Sequence, residues 1–249
     1  MEETFESLIR SYGPYFEDAK RRLISLALMF SALFISVFFL SPLLINQLIE
    51  LLQLPGVEYV ANAPFQILGL SLNLAFTAAL VGTTPLFLVE VYEFITPALD
   101  KEERATLIKV VLASAFLFIV GCAYGVAVMY FGYGLASVYN ANVGLQNLWD
   151  IDTFFSQLVM SSVLLGFLFQ FPLIMALMLF LRLISLENLT AHRNLIYAAV
   201  FIIVALLPPI DGLSLIAMAI PLIGLYELTV FVAKTHATPH RARKGVVIL

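Results

Sequence analysis

Long apolar stretches alternate with short polar ones along this chain, on a scale too coarse for a soluble fold. After Arg22 no charged residue occurs until Glu50, and none occurs from residue 154 to 181. Uncharged apolar runs of about 18 residues or more read as membrane-spanning helices. Six are expected: 23–45, 64–97, 106–133, 154–181, 194–207 and 212–233. Pro85 and Pro172 fall inside the second and fourth and should kink them. The last two are short. Residues 194–207 cover about 21 Å as a helix, against ~30 Å of hydrocarbon, so the bilayer should thin there. Before the first span, Phe5, Leu8, Ile9 and Tyr12 recur at helical spacing. Residues 1–22 therefore read as a surface-lying amphipathic helix, broken at Gly13-Pro14. The connections are polar: 46–62 with Pro55-Gly56, the charged run 100–104, 134–153 with Trp149, Asp150 and Asp152, 182–193, and Pro208-Pro209-Ile210-Asp211.

The basic residues orient these spans. The N-terminal segment, the second loop, the fourth loop and the tail carry four, three, two and four Lys or Arg, together all 13 in the chain. The first, third and fifth loops carry none. Basic loops stay cytoplasmic, so an even number of spans with both termini inside accounts for every one. The expectation is an all-α, single-domain membrane protein over 1–249, with a cytoplasmic segment 1–22 and a cytoplasmic tail 234–249.

Composition agrees. The chain is 61% apolar and 12% charged, where soluble domains average roughly 45–50% and 25%. A net charge of −4, with its basic residues dispersed, argues against a nucleic-acid partner. The single cysteine, Cys122, lies in an apolar run, reads as a small buried hydrophobe and belongs to no metal cluster. The N-terminus opens on Glu2 and Glu3, with its basic cluster only at residues 20–22, unlike a cleaved signal peptide.

No catalytic motif, metal site or cofactor site is visible, so no enzymatic activity is expected. The candidates are isolated polar groups. Glu90 and Glu93 lie one turn apart near the inner end of the second span, either as a cation or proton site or simply reaching the interface. Glu227 lies several residues inside the last span, where an ionised group is costly and usually functional. Gln170 is deep in the fourth. Asp211 follows two prolines and either caps the sixth span or serves function. Two acidic pairs face the cytoplasm, Glu17-Asp18 and Glu102-Glu103. They are either solvated surface or a dock for a basic peptide, since paired carboxylates accept guanidinium groups bidentately.

Several of these residues fall into a known pattern. The run Asp18-Ala19-Lys20-Arg21-Arg22-Leu23 is similar to the ELRxRL segment of the TatC family, the receptor subunit of the twin-arginine protein translocase. Pro85, the run 90–99 and Glu103-Arg104 resemble its P…QxWxFxxPxL…ER stretch. Phe169-Gln170-Phe171-Pro172 resembles its FExP, and residues 208–214, Ala219-Ile220-Pro221 and Glu227 resemble its closing pattern. The chain departs from the family at Gln170 (often Glu), Glu90 (often Gln), Tyr92 (Trp) and Leu215 (often Gln).

The resemblance implies a curved, glove-like six-helix bundle in the cell membrane. It implies binding of twin-arginine signal peptides on folded cargo, and recruitment of TatA-type single-span subunits, with a TatB-type partner left open. Transport would be driven by the proton-motive force, within a homo-oligomer in a larger complex. Asp18 and Glu103 would hold the two arginines, with Glu102 beside them and Phe94 and Arg22 in support. Gln170, Glu227 and Glu90 would form the intramembrane polar set, with Pro85 and Asp211 structural. The competing readings are a small-solute or ion transporter, which favours inverted repeats around a midplane site, and an intramembrane enzyme. No repeat is seen.

Overall fold

The computed structural model describes the backbone of residues 2–98, 101–180, 183–208 and 212–236. Side chains are described from Phe16 onward within those segments, except at 95, 98, 101–103, 106, 180 and 236. The fold is built of helices α1 (Glu2–Leu51), α2 (Gln66–Ile95), α3 (Lys101–Asn142), α4 (Ile151–Leu168), α5 (Phe171–Phe180), α6 (Leu186–Ala191), α7 (Arg193–Ala205) and α8 (Gly212–His236). Two four-residue strands, β1 (Val57–Val60) and β2 (Asn147–Asp150), lie between helices. Among the described residues, five helical stretches are long and apolar enough to cross a membrane, α4 and α5 together making one of them. The sixth apolar helix, α7, has 13 residues, as short as its sequence implied, whereas the last span, also expected to be short, is the 25-residue α8, which extends past residue 233 and is long enough to cross.

Three further features differ from the sequence reading. First, α1 runs unbroken through Gly13-Pro14. Proline removes one ladder bond and leaves its neighbours intact, and the long helix that follows holds the register. Second, the loops 46–62 and 134–153 are shorter than expected, because α1 and α3 extend to Leu51 and Asn142. Each loop closes on a glycine with positive φ, Gly56 (74°) and Gly144 (81°), a conformation that costs glycine nothing. Third, those loops contain strands. β1 and β2 pair in parallel, with Val57 opposite Asn147 and Val60 opposite Asp150.

The fourth span breaks once, at Phe169-Gln170. Pro172 has no N–H to offer the carbonyl four residues back, so α4 stops at Leu168 and α5 restarts. α4 sits at the centre, packed on α3 and α2. Phe155, Leu158 and Leu165 on it are buried against Met129 of α3 and Leu70 of α2. The α3–α4 contact is backbone-close: a Cβ added at Gly125 would lie 2.5 Å from Ser162 Cα, and one at Gly121 2.8 Å from Gly166 Cα. Small residues let membrane helices approach this closely. Cys122 completes the contact, its Sγ lying 2.5 Å from where a Cβ on Gly166 would go. α1 packs mainly on α2 and leaves Leu28 and Phe39 outward, 66% and 76% exposed. Such a helix face needs lipid around it.

Candidate functional site

The C-terminal turns of α2 meet α1 at Arg22. Asp18 lies one helical turn before it and accepts from Arg22 Nε at 2.9 Å. The i, i+4 spacing puts both side chains on one face. Arg22 Nη1 donates to Glu90 Oε2 at 2.6 Å and to Glu93 Oε2 at 3.0 Å, both from the last turns of α2. Glu90 and Glu93 are three apart, so they too share a face. One guanidinium therefore bridges two helices and three carboxylates. Glu90 is the sheltered one, its side chain 16% exposed, while Asp18 and Glu93 are half exposed.

α2 ends in a 3₁₀ turn, Thr96–Ala98, because Pro97 disfavours further α-helix at the residue before it. Thr96 braces the turn by donating from Oγ1 to the Tyr92 carbonyl at 2.6 Å. Beside this turn opens a cavity of about 370 Å³ lined by Arg22, Tyr92, Glu93, Thr96, Pro97 and Arg104. Phe94 is exposed nearby on the chain, at the end of α2. Glu102 and Glu103 occupy the first turn of α3, but their side chains lie outside the described residues, as does Asp211. The structure thus brings Asp18, Arg22 and Glu90 together. It adds Glu93, which the resemblance left out of the site, and Arg104.

Glu90, expected in the intramembrane polar set, belongs instead to this cluster, while the other two candidates, Gln170 and Glu227, do not join it. Gln170 sits in the α4–α5 break and is satisfied locally. Its Nε2 donates to the Ser114 carbonyl at 3.1 Å and to Gly166 O at 3.4 Å, and its Oε1 accepts from the Ser114 hydroxyl. Glu227 on α8 ties that helix to α7: it accepts from Tyr197 Oη and lies 3.6 Å from Arg193 Nη2. Its neighbour Tyr226 is fully buried and donates to Leu189 O at 2.9 Å. Pro85 lies within α2, where it deletes one ladder bond without ending the helix.

The opposite end of the bundle holds a second polar centre that sequence reasoning did not connect. Asp150 caps α4 by accepting from Thr153 N–H at 2.8 Å. It also accepts from Asn62 Nδ2 at 3.1 Å and from the Gln66 amide. Gln66 Oε1 in turn accepts from the backbone N–H of Asn62 and Ala63. These bonds, led by the Thr153 amide, hold the Asp150 carboxyl below its ordinary range. Under the strands, Phe154 contacts the rings of Tyr59, Tyr133, Trp149 and Phe155. Burial there pushes the Tyr59 phenol up.

Comparison with known proteins places this geometry. Residues 14–221 match the family described as Sec-independent protein translocase protein (TatC). The chain is 26% identical over 229 residues to Sec-independent protein translocase protein TatCy of Bacillus subtilis, covering 92% of this chain and 89% of that one. To the Escherichia coli K12 protein TatC it is 30% identical over 176 residues, 70% of this chain and 67% of the other. Its fold superposes on a crystal structure of the twin-arginine translocase receptor TatC in DDM with a TM-score of 0.73. That match is 25% identical and covers 88% of this chain and 99% of the other.

Proposed function

Because the chain belongs to the TatC family, and is therefore a multi-pass membrane subunit at the core of a Tat protein translocase, we propose that its Arg22 end reads twin-arginine signal peptides on folded cargo. The observation that carries this reading is the exposed carboxylate pair, Asp18 and Glu93, gathered on Arg22 where the end of α2 meets α1, with an open cavity beside them. Asp18 and Glu103 take the two guanidinium groups, Glu102 adds negative charge beside them, and Phe94 gives the peptide an apolar contact. Guanidinium–carboxylate pairs are strong and geometrically selective, so arginine is preferred to lysine.

The Arg22 end faces the cytoplasm and the strand end faces outward across the cell membrane, with both termini inside. The distribution of all 13 basic residues supports this orientation. TatA-type single-span subunits assemble on the loaded receptor, several copies of which share one complex, and the proton-motive force drives transport without a chemical step in this chain. A solute transporter is not favoured, since Gln170 and Glu227 are each tied up by neighbouring helices.

The test is a photo-crosslinking signal peptide with two adjacent arginines. It should label residues 15–22 and 94–104, and a twin-lysine control should label them far less. Equal labelling by both peptides would remove the mechanism. Orientation is read by cysteine labelling from outside: probes at Gly56 and Leu145 should react, whereas probes at Glu102, Asn188 and His240 should not.

A further inference from the structure

We propose that Arg22 is an internal competitor for the peptide's arginine. At rest its guanidinium occupies the Asp18 and Glu93 carboxylates. The incoming guanidinium takes these over, while Glu90 retains Arg22. This inference rests on the peptide-reading role given above and adds the regulation of that same site.

The three contacts divide by exposure. Glu90 is 16% exposed and makes the shortest contact, 2.6 Å to Nη1. Asp18 and Glu93 are 48% and 57% exposed. A sheltered carboxylate stripped of its cation is strongly destabilising. An exposed one exchanges one cation for another at little cost. The Arg22–Glu90 pair is therefore the fixed half of the cluster, and the other two contacts are its exchangeable half.

Charge and shape point the same way. Three carboxylates share the one Arg22 guanidinium, so no single one of them has it to itself, and Arg104 lines the cavity beside them. The cavity opens beside Arg22 and Glu93, giving an entering side chain direct access to the exchangeable half. Arg22 also uses two different nitrogens, Nε on Asp18 and Nη1 on the α2 glutamates. The carboxylates are thereby held at spacings set by a planar fork, which a lysine ammonium does not span. The chain's own arginine is in this sense the template for the one it admits.

The experiment measures the affinity of a fluorescent twin-arginine peptide for the full chain in nanodiscs. Two variants weaken the competitor. Arg22→Gln combined with Glu90→Gln removes the internal guanidinium together with its sheltered partner. Arg22→Lys keeps a cation on Glu90 but loses the fork, and it carries the test should the double variant fail to fold. Either folded variant should bind about fivefold more tightly, the equilibrium equivalent of releasing one exposed ion pair. Unchanged or weaker binding in the folded variants overturns the proposal and leaves Arg22 a supporting residue. Asp18→Asn and Glu103→Ala separate the two readings. Should neither weaken binding, the peptide-reading role itself fails. Should both weaken it without any gain from the Arg22 variants, only the competitor fails.

Discussion

The two ends of this bundle solve the same problem, holding carboxylates where helices meet, by opposite means. At the strand end, Asp150 is met by neutral donors: an amide of its own helix and the side chains of Asn62 and Gln66. The aromatic cluster around Phe154 packs beneath them. At the arginine end, Asp18 and Glu93 are met by one shared guanidinium beside an open cavity. Neutral, directional donors on the backbone and on short side chains carry no charge to trade, so the strand end is a fixture. Ion pairs at an exposed surface are individually weak, so the arginine end can change partners. The difference shows where this fold stores rigidity and where it stores binding capacity.

The contrast can be broken by substitution. Phe154→Ala empties the hub of the aromatic cluster and should cost about 3–5 kcal/mol, as large core truncations do. The readout is a fall in melting temperature in detergent, and a change under about 1 kcal/mol would mean that the strand end is no fixture. Next comes Glu103→Ala. Losing a charge-assisted hydrogen bond of about 1.5–3 kcal/mol should weaken peptide binding on the order of tenfold or more, with melting unchanged. Glu102→Ala should do less, since adjacent helix positions point different ways. Equal effects at both positions would reduce the site to a charged surface.

Asp150→Ala removes a helix cap and should cost about 1 kcal/mol. Its acid behaviour has a definite sign. The folded pKa lies below the ordinary value of 3.8. Its stabilisation is therefore complete above that pH and is lost as the pH falls through the depressed folded value. Melting curves below about pH 4 should drop more steeply for the native chain than for Asp150→Asn. The smallest effect is that of salt. Raising ionic strength from about 0.05 to 0.5 M should weaken peptide binding severalfold, because exposed charges are screened, while leaving the melting temperature nearly unchanged.

Much of this architecture was legible in the order of residues. The apolar runs marked the spans, including the short α7, because lipid admits only self-satisfied helices. Asp18 and Arg22 were each singled out through the resemblance, but their pairing was not read, although a four-residue spacing on a helix puts both on one face. The rest depended on contacts with no local trace. Glu90 and Glu93 lie 68 and 71 positions from Arg22, and only the packing of α1 on α2 brings them to it. A glutamate near a helix end reads the same whether it meets water or a guanidinium. The strands were hidden for a related reason. Four residues are too few to display an alternation, and each finds its partner beyond two intervening spans. Gly121 and Gly125 were unremarked because a glycine in an apolar run signals close packing only once its neighbour is known.

The parallel pairing of β1 with β2 also sets an order of events in biogenesis. The chain between them is α2 and α3, two crossings of the bilayer, and two crossings return it to the side it left. As synthesis proceeds from the N-terminus, β1 emerges first and waits with its edge unpaired until residues 147–150 arrive beside it. Should either crossing fail, the two strands stand on opposite sides of the membrane and the Asn62–Asp150 bond has no means to form. Closing the sheet thus reports on the second and third spans, since it is completed only when α2 and α3 have returned the chain to the side on which β1 lies.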